Sequence, residues 1–103
     1  MAKQHFFLKL IPPRPSFPFD MNEEEKRLMG EHGAYLRRFF DAGKILAFGP
    51  VLAASGSFGM GLLEVEDEAE ARRIVDADPT VVARLNAYEL SPMRLVGPRN
   101  SQV

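Results

Sequence analysis

Apolar side chains recur along residues 23–42 at helical spacing. At about 100° per residue, Leu28, Tyr35, Leu36, Phe39, Phe40 and Ala42 fall on one side, and Lys26, Arg27, Ala34, Arg37, Arg38 and Asp41 on the other. Asn22 is a good N-cap, with Glu25 placed three residues on to bond back. Gly43 suits the left-handed turn that closes a helix. A second amphipathic stretch opens at Asp67, again with an acidic residue, Glu70, at the reciprocal position. Its apolar side is Ala71, Ile74 and Val75, and it stops by Ala77, because a residue before proline avoids helical angles. Residues 79–85 read as a short helix or turn.

Four other stretches read as strands: residues 5–11, 45–48, 59–65 and 87–96. Gly49-Pro50 punctuates the second, and residues 53–58 form a loop. Gly61 marks a bulge or a close backbone approach, and Pro92 places the last strand at an edge. Residues 12–20, PPRPSFPFD, carry four prolines, which predict a stiff, extended segment without regular structure. The order strand, helix, strand, strand, helix, strand predicts an α+β fold. It is a ferredoxin-like βαββαβ antiparallel sheet with two helices on one face. The strands alternate poorly. Phe6, Leu8 and Leu10 line one face of the first, yet Phe7 and Ile11 line the other, and Leu62-Leu63 and Ile45-Leu46 are adjacent pairs. Helices cover one apolar face. A second copy is the simplest cover for the other, so a homodimer through the sheet face is expected.

The chain has 103 residues, 46% of them hydrophobic, which suits one small domain. Residues 1–97 are read as that domain and residues 98–103 as a flexible tail. A net charge of -1 with mixed signs argues against a nucleic-acid partner. No apolar run approaches the roughly 20 residues of a membrane span, and no basic-then-apolar leader opens the chain. With no cysteine and two histidines, neither a disulfide nor a structural zinc site is expected, and the composition fits the cytoplasm.

His32 carries the most chemical information. It lies on the line Leu28–His32–Leu36–Phe40, so a group that titrates near neutrality is aimed inward, where it needs a partner or a cavity. One reading is a core histidine satisfied by a carbonyl or a water. The other pairs it with Asp78, which leaves the second helix pointing towards the sheet and the first helix. Asp78 also suits the N-cap of the next turn, with Pro79 at the first helical position. A carboxylate on one imidazole nitrogen fixes the tautomer and leaves the other free to act as base or acid. Tyr35 lies one turn from His32 and is either a hydrogen-bond donor to the site or a core aromatic. Arg14, Phe17 and Phe19 in the proline-rich segment suggest an apolar and cationic lid over a small anionic molecule, although Arg14 also reads as a solvated arginine.

At these residues the chain resembles the YCII-related family. The likeness rests on EHGAYLRRFFDAGKILAFGPV (residues 31–51), LLEVEDEAEARRIVDADP (residues 62–79) and YELSPMR (residues 88–94). Its most specific elements are His32, Gly49-Pro50 and Asp78-Pro79, while the segment 12–20 is longer and richer in proline than in the simplest members. The resemblance implies a dimeric α/β barrel and a His32–Asp78 active site between helices and sheet. It also places Gly49 and Pro50 among the substrate-binding positions. It further implies lyase or dehydrohalogenase-type chemistry on a small, often aromatic, molecule, with no cofactor or metal. The alternative is a non-catalytic, ligand-binding or regulatory homodimer in which His32–Asp78 is structural. Changing His32 separates the two.

Overall fold

Alternation in the first strand builds the core. In β1 (Gln4–Ile11), Phe6, Leu8 and Leu10 are buried under the helices, while Phe7, Lys9 and Ile11 face the opposite side and are half-buried. The computed structural model describes residues 2–97; the tail expected at 98–103 lies outside the described residues. The remaining elements are α1 (Phe17–Asp20), α2 (Glu23–Asp41), β2 (Ile45–Val51), β3 (Phe58–Val65), α3 (Glu68–Asp76), α4 (Pro79–Val82) and β4 (Ala87–Met93). The four strands form one antiparallel sheet in the order β2-β3-β1-β4, the ferredoxin-like α+β arrangement expected. Phe6, Leu8, Leu36, Ile45, Leu63, Val65, Ile74 and Val75 form the core between sheet and helices.

Local chemistry starts and stops the helices as read. Asn22 and Glu25 form a reciprocal capping box on α2, and Gly43 follows with φ +81°. On α3 the exchange is not reciprocal. Asp67 accepts from the Glu70 amide, but the Glu70 carboxylate takes the amide of Glu66 and pairs with Lys44.

Other details differ from the pattern reading. The proline-rich segment holds one helical turn, α1, because Pro18 stands in its first turn, where a missing N–H costs nothing. Gly49 and Pro50 do not end β2 but lie within it; β2 is an edge strand, where proline is tolerated. The irregularity in the sheet falls between Ile45 and Ala47, so the Ile45-Leu46 pair reflects a register shift. Gly61 is a close approach instead: a Cβ there would lie 3.4 Å from Leu8 Cδ2. On α2 Leu36 is buried, the half-buried Tyr35 and Phe39 pack against the core beside it, and Phe40 at the rim is 40% exposed against Phe48.

Candidate active site

The site lies where one end of the sheet meets α2 and the α1 segment. Gly59 and Gly61 on β3 stand opposite Leu10 and Leu8 of β1 on one side, and opposite Pro50 and Phe48 of β2 on the other. Leu10 and Leu8 lean over these glycines, where a Cβ would lie 3.2 Å from Leu10 Cβ and 3.4 Å from Leu8 Cδ2, and a space remains between this end of the sheet, α2 and the α1 segment. The space is a cavity of about 350 Å³, the size of a small-molecule site. Leu8, Leu10, Phe48 and Pro50 line it from the sheet, Met29, His32 and Leu36 from α2, and Phe17, Pro18 and Met21 from the α1 region. Two methionines in the lining, Met21 and Met29, give its walls unbranched, adaptable side chains.

His32 enters this cavity from α2, with 14% of its side chain exposed. Behind it, Nδ1 lies 2.6 Å from Asp78 Oδ2. A carboxylate only accepts, so Nδ1–H donates and Nε2 is the ring nitrogen left to the cavity. Asp78 is 1% exposed and serves two purposes. Oδ1 caps α4, accepting from the Thr80 amide at 2.8 Å and the Thr80 hydroxyl at 2.7 Å, while Oδ2 holds the imidazole. The N-cap reading and the His-partner reading of Asp78 are thus one arrangement. Burial pushes the carboxyl up, but the hydrogen bond and charge of His32, with the two Thr80 donors, outweigh it and hold Asp78 below the usual carboxylate value. The buried charge is compensated on both oxygens.

Five of the expected site residues gather here. His32, Phe17, Gly49 and Pro50 line the cavity, and Asp78 backs His32. Three do not. Tyr35 donates to the Ile74 carbonyl at 2.7 Å, which ties α2 to α3; burial foremost, then the Asp78 charge, pushes its phenol up, so it stays a donor. Phe19 is 82% exposed and points away. Arg14 spends its guanidinium inside the protein: Nε donates to Asp20 Oδ1 at 2.9 Å, and the two terminal nitrogens grip the Glu25 carboxylate at 2.8 and 2.9 Å. It latches the α1 segment to the first turn of α2 and does not reach the cavity. Pattern reading did not single out Met29, Phe48 and Asn86, which also line the cavity, since each looks like an ordinary core or turn residue along the chain.

The latch titrates in a definite direction. Hydrogen bonds from Arg14, then from the Asn22 amide, lower Glu25 from 4.5 to about 2. A depressed carboxyl stabilises above its unfolded value and loses that contribution as the pH falls through its folded one. Protection of the amides in residues 12–21, taken relative to the intrinsic exchange rate at each pH, is therefore expected to hold above pH 4.5 and to fall as the pH drops from there towards about 2. Arg14→Met removes the latch and is expected to show the reduced protection already at neutral pH. Unchanged exchange in that variant would contradict the latch.

The model of the YCII-related domain matches residues 5–94. The chain belongs to the YCII-related domain family. Among solved structures, it is similar to 5-chloro-2-hydroxyhydroquinone dehydrochlorinase from Burkholderia phenoliruptrix, in complex with 2,5-dihydroxybenzoquinone. The identity is 24% over 86% of this chain and 93% of that one, with a TM-score of 0.64. No protein of curated function matches the chain. The structural likeness shows that this YCII-related domain shares the fold of the dehydrochlorinase.

Proposed function

We propose that the protein is a small enzyme in which His32 moves a proton to or from a small ring-shaped molecule held in the cavity, with Asp78 orienting the imidazole. One observation carries this reading: a histidine bonded to a buried carboxylate on one nitrogen lines an apolar cavity with the other free. The dehydrochlorinase of the same fold, which acts on a chlorinated hydroxyhydroquinone, suggests the reaction type. In an elimination of that kind, His32 Nε2 takes a proton from the substrate. The electron pair of the broken bond becomes a new double bond, and halide departs with the pair of its own bond. Asp78 stabilises the imidazolium that forms. The apolar walls keep water away from the reacting bonds.

Chloride release from a panel of chlorinated hydroquinones tests the reading. The expected result is turnover by the wild-type protein that is lost on changing His32. Saturable binding of every member with no chemistry would favour the non-catalytic reading, in which the His32–Asp78 pair only holds α4 to α2.

A second copy is part of the proposal. Phe7, Ile11, Phe58, Met60, Leu62 and Met93 are half-buried on or beside the sheet face that no helix covers. Pairing this face with its copy removes that apolar surface from water. Light scattering is expected to give twice the chain mass, and Leu62→Glu to shift it to the monomer. A monomeric wild-type protein at micromolar concentration would contradict the pairing.

A further inference from the structure

One buried polar side chain in the cavity has no role in the chemistry just described. Asn86 is 6% exposed and lines the same cavity as His32. A carboxamide offers two N–H donors and an oxygen with two lone pairs. Among the described residues its Nδ2 meets only the Met29 sulfur, at 3.6 Å, a weak acceptor on another cavity wall. Buried amides ordinarily find stronger partners, so this carboxamide keeps most of its hydrogen-bonding capacity for a molecule that enters the cavity.

The backbone is bent to bring this residue there. Arg84, a non-glycine residue, has φ +60°, a left-handed conformation that costs roughly 1–3 kcal/mol and persists only where its surroundings impose it. The reversal lets the Leu85 and Asn86 amides both donate to the Thr80 carbonyl, at 2.9 and 3.1 Å. Thr80 is also the residue whose amide and hydroxyl bond Asp78. A single turn therefore carries both the carboxylate that holds His32 and the carboxamide that joins it at the cavity. Charge is the second observation. Among the described residues, the polar side chains lining the cavity are His32, Asn86 and Ser57, and no lysine or arginine joins them. The nearby Arg14 is consumed by Asp20 and Glu25. A fixed anion entering this cavity would lose its hydration without gaining a cation.

We propose that Asn86 is a substrate-binding residue that acts with His32. Together they select an uncharged ring bearing oxygen at two positions, one oxygen meeting His32 and the other the Asn86 carboxamide. This rests on the cavity being the substrate site, and it adds which molecules the site accepts and what reads them.

Three probes decide the matter by equilibrium titration: hydroquinone, phenol and 4-hydroxybenzoate. The wild-type protein is expected to bind hydroquinone about tenfold more tightly than phenol, and 4-hydroxybenzoate more weakly than hydroquinone. In Asn86→Leu the hydroquinone-to-phenol ratio is expected to fall to about one, with phenol affinity little changed. Asn86→Ala, which adds no bulk and no polar group, reads the same ratio should Leu prevent folding, and a melting curve on each variant checks the fold. A preserved tenfold ratio in a folded Asn86 variant overturns the role of Asn86. Equal binding of hydroquinone and phenol by the wild-type protein, no saturable binding of hydroquinone, or tighter binding of 4-hydroxybenzoate overturns the ligand class. The outcome is independent of the catalytic reading. An enzyme that keeps full turnover without His32 would sink that reading while leaving the Asn86 result standing.

Discussion

Replacing His32 by alanine is expected to lower kcat by about 10²–10⁴-fold, the usual contribution of a positioned acid–base group. The fold is expected to survive. His32 is partly exposed and lines a cavity, so its removal enlarges an existing space and leaves the core seam of Tyr35, Leu36 and Phe39 in place. The change does strip Asp78 of one partner, and some loss of melting temperature follows from that. What separates the two readings is the ratio of effects. A proton-transfer residue loses most of the rate with a modest loss of stability, whereas a structural pair loses several kcal/mol and leaves any chemistry intact in the protein that remains folded. Both quantities come from one variant, by steady-state kinetics and a melting curve.

Changing Asp78 is expected to have the larger effect on stability. Asp78→Ala leaves the Thr80 amide and hydroxyl without their acceptor, uncaps α4 and frees the imidazole. Breaking a buried pair in this way costs about 3–5 kcal/mol, which for a domain of this size lowers Tm by more than about 10 °C. Asp78→Asn is the sharper test. Its Oδ1 can still accept from Thr80, so the cap survives. Its Nδ2 is a donor and now faces Nδ1, which must accept; the ring proton moves to Nε2 and the lone pair is withdrawn from the cavity. The expected result is a modest loss of stability with a fall in kcat of about 10²–10⁴-fold. The pH dependence has a definite sign. A carboxyl held below its ordinary value of 3.8 stabilises above that value, and the contribution is lost as the pH falls through the lowered one. The melting temperatures of wild type and Asp78→Asn are expected to differ at neutral pH and to converge as the pH drops below 3.8. An Asp78→Asn protein with unchanged kcat would show that the tautomer does not matter.

The architecture was legible because its signals are local. The caps at Asn22 and Asp67, the stop before Pro79 and the alternation of Phe6, Leu8 and Leu10 each follow from a few neighbouring residues. The inward aim of His32 followed from helical spacing as well. The cavity did not, since its walls come from three strands, α2 and the α1 segment, which only tertiary packing brings together. Arg14 shows the opposite failure. Its charge suggested an anion site, yet two acidic residues, Asp20 and Glu25, meet it only once α1 folds back on α2. Phe17 and Phe19 stand two apart in one short turn, and tertiary packing buries the first and exposes the second. Asn86 escaped notice because nothing in its neighbours along the chain announces the left-handed residue at Arg84 that brings it to the cavity.

The most direct test is the ¹⁵N spectrum of the His32 ring at neutral pH, free and with hydroquinone added to saturation. Nδ1 is predicted to carry a proton throughout, held by Asp78, and the Nε2 resonance to move on binding. An unprotonated Nδ1, or an Nε2 signal indifferent to a ligand that fills the cavity, would contradict the account.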